Sequence, residues 1–100
     1  MKAHYAHRLL AVGPARELKK FERSDWEAQA HAKYLDVLEC SKTRLAVQFE
    51  TDELPLVWLR NVSKRWSRLV FFLDYEDEDR RIKGLAHAWR HQLDVLTTHY

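Results

Sequence analysis

The chain has 100 residues, of which 46% are hydrophobic and 12% aromatic, a composition typical of one folded domain over residues 1–100. The net charge of +2 is smaller than dedicated nucleic-acid-binding domains usually carry. Cys40 is the only cysteine, which excludes an intramolecular disulfide, a cysteine-ligated iron–sulfur cluster and a multi-cysteine zinc site. Because no segment is apolar enough to span a membrane or to serve as a signal peptide, we expect a cytoplasmic protein without a membrane partner.

The first third of the chain predicts a strand followed by helices. Residues 4–12 alternate between apolar and polar side chains as a strand does, and Gly13-Pro14 ends that strand. Apolar residues then recur at a spacing of three from Ala15 to Phe21, which predicts a short amphipathic helix. The capping-box pattern Ser24 to Glu27 predicts a second helical turn or helix running from Trp26 to Lys33.

The middle of the chain predicts a hairpin and then the clearest helix. Residues 34–40 and 45–50 are strand-like, and the four residues between them suit a hairpin loop. A helix over residues 55–69 follows, because its apolar residues recur at spacings of three and four. The members of this stripe are Leu56, Leu59, Val62, Trp66 and Leu69.

The last third predicts two strands, at 70–75 and at about 82–88, joined by an acidic connection. Residues 85–100 fit either a strand or a helix, since their apolar residues suit both periods. A series of strands and helices that does not simply alternate favours an antiparallel sheet with helices on one face. We therefore predict an α+β fold of the ferredoxin-like split β-α-β type, with four or five strands and two or three helices.

Two stretches resemble a known family. "LLAVGPARELKKF" is similar to the opening strand, Gly-Pro turn and helix of a ferredoxin-like domain in phage- and plasmid-encoded bacterial proteins of the YubB type. "LAVQFETDELPLVWLRNVSKRWSRLVFFLDYEDEDRRIKGLAHA" resembles the second half of that domain. The resemblance implies a fold and a mobile-element setting. It implies no catalytic residues, because the family has no established biochemical activity.

A row of basic residues on the 55–69 helix is the candidate binding site. It consists of Arg60, Lys64, Arg65 and Arg68, with Trp58 beside it. These side chains can grip nucleic-acid phosphates or contact a protein partner, and Arg65 can stack on Trp58. An ordinary solvated helix face is the simpler interpretation.

The sequence gives less support to a metal site or a catalytic site than to the candidate binding site. The carboxylates of Asp74, Glu76 and Glu78 alternate as ligands on one side of a strand would, but no calcium-binding loop pattern accompanies them. His87 and His91 have a zinc-ligand spacing without the glutamate of a metalloprotease motif. We expect no metal and no cofactor, and we expect Cys40 to be a small buried apolar residue.

These patterns favour a small non-enzymatic protein of a bacterial phage or plasmid that binds a protein partner, related to host defence, or that associates with itself. The reason for expecting a partner is the number of aromatic residues, because so small a core is not expected to bury all four tryptophans. The alternative is a nucleic-acid-binding module that uses the basic helix at 55–69. A metal-dependent enzyme is the third possibility.

Overall fold

The computed structural model describes residues 5–100, which form six strands and three helices. In chain order these are β1 (Tyr5–Val12), α1 (Ala15–Glu22), α2 (Trp26–Gln29), β2 (Lys33–Cys40), β3 (Arg44–Thr51), α3 (Leu56–Arg65), β4 (Val70–Asp77), β5 (Ile82–Trp89) and β6 (Gln92–His99). Within residues 5–100 no helix is long and apolar enough to span a membrane.

All six strands belong to one antiparallel sheet in the order β2-β3-β1-β4-β5-β6. The first strand lies near the centre, where Leu9 aligns with Val47 on one side and with Leu73 on the other. The two edges are β2 and β6. Each edge strand therefore has hydrogen-bonding groups that no neighbouring strand within residues 5–100 satisfies.

The helices cover one face of the sheet, and the core lies between the two layers. Every second residue of the central strands faces the helices, and Leu9, Val47 and Leu73 are almost completely buried. Phe21 of α1 contacts the rings of Trp26 and Phe71. Burying each such side chain stabilises the fold by about 1.5–3 kcal/mol. The alternate strand residues point to the opposite face, on which no helix of the described chain packs.

The prediction of a ferredoxin-like sheet with four or five strands is wrong, because the sheet has six. The extra strand is β6. It lies in the segment 85–100, whose apolar residues fit the period of a helix as well as that of a strand. It forms a hairpin with β5 through a two-residue turn, in which Arg90 and His91 have φ angles of 50° and 71°. Neither residue is the Asn or Gly that usually marks such a turn in a sequence.

Most element positions were nevertheless predicted. The first strand is confirmed from Tyr5 onward, while its predicted start at His4 lies outside the described residues. The second helix has only four residues, and the capping box is wrong because the Ser24 hydroxyl donates to the carbonyl oxygen of Phe21 at 2.6 Å. The third helix ends at Arg65, so Arg68 lies in the loop before β4 and not on the helix.

At Gly84 the backbone of β5 lies close to the side chain of Tyr75 and to the backbone of β6. A Cβ atom at this position would overlap Cζ and Oη of Tyr75 and the backbone oxygen of Leu96. The adjacent strand pairing is regular, so the glycine is needed for space and not for a bulge. The approach lets the Tyr75 ring lie across β5, where its hydroxyl is hydrogen-bonded to that of Thr97.

We expect Gly84→Ala to lower the free energy of unfolding by about 1–3 kcal/mol, because the added methyl group overpacks a site bounded partly by backbone. Urea denaturation followed by tryptophan fluorescence measures this loss. The control is Lys83→Ala, one residue earlier on the uncovered face, which should change stability by no more than about 0.5 kcal/mol. Equal losses in the two variants would contradict the proposed overlap.

Candidate functional site

The structure divides the five predicted binding residues among different surfaces. At 3.6 residues per turn, Arg60 and Arg65 point roughly 140° apart around α3. Trp58 and Arg65 lie on the flank that faces α2, where both line one groove. Arg60 and Lys64 are exposed on another part of the helix, and Arg68 is exposed in the following loop. The predicted basic row is therefore not a single contact surface.

The groove that Trp58 and Arg65 share runs between α2 and α3, and we call it the α2–α3 groove. It has a volume of about 390 Å³. Its lining residues are Gln29, Val57, Trp58, Asn61, Val62 and Arg65. A second depression of about 770 Å³ adjoins it, shares Gln29, Val57 and Trp58, and extends towards Lys33 and Thr51. This concave surface is therefore lined by apolar side chains together with a few polar groups, a combination that is common in ligand-binding sites.

Two apolar residues, Val57 and Trp58, line both this groove and the adjoining depression. Val57 is 76% exposed, and it lies on the outer side of α3 away from the buried stripe. The Trp58 ring packs at 6.1 Å, centroid to centroid, from the ring of Trp26 in the core. Its Nε1 atom is shielded from solvent and has no hydrogen-bond acceptor among the described residues. Leaving a buried N–H group unpaired costs about 1–3 kcal/mol.

Arg65 contributes the only charge among the residues that line the α2–α3 groove. Its guanidinium carbon lies 5.4 Å from the centre of the Trp66 ring. The predicted stacking on Trp58 is therefore replaced by stacking on the next aromatic residue of the chain. This cation–π contact orients the guanidinium, and the residue remains exposed to solvent.

A buried polar network lies beneath the adjoining depression. His7 is only 3% exposed, and its Nε2 atom lies 2.7 Å from the hydroxyl of Thr51. Its Nδ1 atom lies 3.1 Å from the carbonyl oxygen of Asp74, which can only accept a hydrogen bond. The Thr51 hydroxyl also lies 2.6 Å from the carbonyl oxygen of Glu53. Its single hydrogen can serve only one of these two neighbours.

Burial lowers the pKa of His7 from 6.5 to about 4, and the hydrogen bond to the Asp74 carbonyl opposes this shift. At neutral pH the imidazole is therefore uncharged. Nδ1 then carries the hydrogen that faces Asp74, and Nε2 presents a lone pair to the Thr51 hydroxyl. Protonation would let the ring donate from both nitrogens and free Thr51 to donate to Glu53, but the loss of hydration outweighs this gain.

The carboxylates that follow β4 do not converge on one centre. The strand runs to Asp77, so Asp74 and Glu76 project to the uncovered face while Asp77 is buried on the helix side. The Asp77 carboxylate accepts from the backbone N–H of Arg80 at 3.3 Å. Among residues 5–100 no group of three or more His, Cys, Asp or Glu side chains is placed to hold a metal ion.

The remaining chemical candidates are also separated. The His87 ring stacks on Phe72 at 4.9 Å, whereas the backbone N–H of His91, in the β5–β6 turn, donates to Ser63 Oγ. Cys40 is exposed, so the expectation of a buried thiol is wrong. Loss of hydration and the carboxylate of Glu22, whose Oε2 lies 3.7 Å from the sulfur, raise the pKa of the Cys40 thiol. A thiol held protonated in this way is a weak nucleophile.

The sequence predicted as site residues two of the six residues that line the α2–α3 groove, Trp58 and Arg65. Gln29, Val57 and Asn61 were not predicted, and Val62 was predicted only as part of the buried stripe. An available signal was Val57, an apolar residue that stands off the buried stripe of its own helix. The contribution of Gln29 had no such signal, because it depends on where α2 packs against α3.

Comparison with known proteins adds no family to this description. No family model matches the chain, and neither a curated protein nor a solved structure matches it. The resemblance to YubB-type proteins therefore stays a prediction.

The buried imidazole predicts a specific pH dependence of stability. Because the folded-state pKa of His7 is below the unfolded value, its contribution is complete above pH 6.5 and is lost as the pH falls towards 4. The loss is about 3 kcal/mol for this group, at 1.36 kcal/mol per pH unit. In His7→Gln, the fall in unfolding free energy between pH 7 and pH 4 should be smaller by about this amount.

Urea denaturation at a series of pH values measures this difference. The matched control is His99→Gln, because His99 is exposed at the end of β6 and should leave the pH profile unchanged. If His7→Gln loses as much stability as the unsubstituted protein over this window, His7 is not the group responsible.

Proposed function

We propose that this chain is a non-enzymatic binding protein whose α2–α3 groove takes a segment of a partner protein. The segment would present a large apolar side chain next to a carboxylate. The observation that carries this proposal is the meeting of three features in one groove: exposed Val57, the unpaired indole N–H of Trp58 and the guanidinium of Arg65. The apolar side chain of the segment would cover Val57, its carboxylate would pair with Arg65, and a further acceptor would bond to the indole N–H of Trp58.

The apolar part of the segment would cover Val57 and the face of Trp58. An exposed apolar side chain surrounded by concave walls gains free energy when it is covered, at about 25 cal/mol for each Å² removed from water. Scattered exposed apolar residues are normal on protein surfaces. Val57 differs from these because it stands in a groove beside an aromatic ring.

The polar part of the segment would pair with Arg65 and Trp58. A carboxylate accepts hydrogen bonds from a guanidinium in a charge-assisted geometry. A further acceptor, such as a backbone carbonyl, would satisfy the indole N–H. Because Nε1 is shielded in the free protein, a groove-lining side chain must move aside on binding, and the long, exposed side chain of Gln29 has this freedom.

A protein partner fits these features better than nucleic acid does. Phosphate binding needs several cations along one surface, and here Arg65 is separated around α3 from Arg60 and Lys64. Trp58 is the one aromatic residue that lines the groove, and it also packs against Trp26, so the groove offers no series of rings on which successive bases could stack. Nucleic-acid binding through the remaining basic residues is retained as an outcome of the test.

The absence of catalysis is also part of the proposal. A nucleophile needs a base within hydrogen-bonding distance. Cys40 contacts the Glu22 carboxylate with a thiol whose pKa is raised, and the ring nitrogens of His7 contact Thr51 and a backbone carbonyl inside the core. Neither arrangement supports covalent catalysis. The phage or plasmid origin implied by the family resemblance is a separate proposal, which the genes adjoining this one would test.

The groove is tested with random heptapeptides displayed on phage and selected against the purified protein. We expect enriched sequences to place a large apolar residue beside Asp or Glu. In ¹⁵N-resolved NMR spectra, a synthetic peptide of the enriched sequence should move the indole signal of Trp58 downfield, because Nε1–H gains an acceptor. The spectrum of Trp58→Phe, which lacks that N–H, assigns the signal.

Two charge reversals on the same helix provide the matched comparison. Arg65→Glu should weaken peptide binding at least about tenfold, since a charge-assisted hydrogen bond contributes about 1.5–3 kcal/mol. Arg60→Glu makes the same change of charge outside the groove and should alter the affinity no more than about twofold. Failure to enrich any motif, or equal effects of the two reversals, would overturn the groove as the binding site.

Gel-shift titration with single-stranded DNA and RNA at low and high salt tests the other class of partner. Unchanged mobility at low salt supports the protein-binding proposal. A salt-sensitive shift that Arg60→Glu weakens as much as Arg65→Glu would instead favour nucleic-acid binding through the dispersed basic residues.

A further inference from the structure

The two edges of the sheet differ in how well they are protected against pairing with another strand. Natural proteins block edge strands with bulges, charges and twisted geometry. The β2 edge has two register irregularities against β3, and it carries Lys33, Asp36 and Glu39. The β6 edge has a regular register with β5 over its whole length, and Asp94 is its only acidic or Lys/Arg residue. Of the two edges formed by the described residues, β6 is the less protected against strand pairing.

The turn between β5 and β6 shows which backbone groups of β6 face outward. A two-residue hairpin turn closes on a hydrogen-bonded pair, here Trp89 and Gln92. Every second residue after Gln92 therefore bonds to β5, and the N–H of Tyr100 indeed donates to the carbonyl oxygen of Arg81 at 2.8 Å. The remaining residues direct their N–H and C=O groups away from the sheet. These are Leu93, Val95, Thr97 and His99.

Exposed apolar side chains accompany this free edge. Leu96 is 70% exposed on the uncovered face, and Val95 is 43% exposed on the other. Leu85 of the neighbouring strand lies beside Leu96 and is also exposed. An edge strand that has no bulge, few charges and exposed apolar side chains is the kind of surface on which another strand can pair.

We propose that β6 pairs with β6 of a second copy of this chain, in an antiparallel arrangement centred on Leu96. This association uses a surface separate from the α2–α3 groove and does not depend on the function proposed for that groove. The two sheets would become one continuous sheet of twice the width. Such a contact is isologous, because each strand uses the same residues as its partner.

The symmetry and the strand pattern select this register. Two copies related by a twofold axis perpendicular to the sheet must pair residues so that one residue faces its own equivalent. With Leu96 at that position, the pairing runs from Gln92 to Tyr100 and uses the whole strand. The outward-facing residues then pair with one another and exchange about eight backbone hydrogen bonds, two for each of four pairs.

The side chains are compatible with this arrangement. The two Leu96 side chains meet in a non-hydrogen-bonded pair, where side chains approach most closely. Asp94 faces Thr98 of the second copy, and no two like charges are opposed. A register centred on Asp94 would instead place two carboxylates against each other, which is destabilising.

Cysteine cross-linking tests both the contact and its register. The background is Cys40→Ser, because the native thiol is exposed. In that background Leu96→Cys should form a dimeric disulfide rapidly under mild oxidation, since directly opposed residues of this kind lie within the Cα distance that a disulfide spans. The product is read on a non-reducing gel as a shift from 12.0 kDa to twice that mass.

The matched control is Thr98→Cys in the same background. It lies on the same face two residues away, but in the proposed register the two Thr98 Cα atoms are about 13 Å apart along the strands. A disulfide cannot span that separation. Equal cross-linking of the two variants, or none of Leu96→Cys, would overturn the register centred on Leu96.

Sedimentation equilibrium of the unsubstituted protein tests the association itself. The mean mass should rise with concentration from 12.0 kDa towards twice this value. Val95→Pro removes one outward-facing N–H without removing a bond to β5, so it should abolish the rise, whereas Val95→Thr should retain it. A protein that remains monomeric at millimolar concentration, or a mass unaffected by the proline, would overturn the proposal.

Discussion

The packing of three helices on one face of the sheet is the constraint on which the rest of the molecule depends. Phe21, Leu59 and Phe71 are completely buried between the two layers, and they draw the central strands and the helices together. The helices are too short to cover six strands, and the opposite face has no covering layer in the described chain. Stability is therefore concentrated on one side, and the outer strands and helix margins are left exposed.

This one-sided arrangement explains why the surfaces of interest lie at margins. The α2–α3 groove forms where the four-residue α2 ends and α3 continues, so that Val57 and Trp58 are only partly covered. The β6 edge is the last strand on the side of the sheet where α3 packs on β5 and β6. Both surfaces combine apolar side chains with backbone or side-chain groups that have no partner in the part of the chain that the structure describes, and such groups favour association.

Electrostatics shape these surfaces less than packing does. The basic residues of α3 and its following loop are spread around the helix axis, so they do not produce one positive surface. The acidic residues after β4 are likewise divided, with Asp77 buried and Asp74 exposed on opposite faces of the sheet. In each case the alternation of a strand or the turn of a helix separates charges that are adjacent in sequence.

The sequence by itself determined the class of most elements, because apolar periodicity reports directly which face of a strand or helix is buried. It also predicted that Trp58 and Arg65 belong to a binding surface. Tertiary structure decided the rest. Whether residues 92–99 form a strand depended on a β5 neighbour to pair with, since their local pattern suited both periods. Gln29 lines the groove and Cys40 is exposed because of how segments distant in sequence pack together. Local periodicity does not encode that packing.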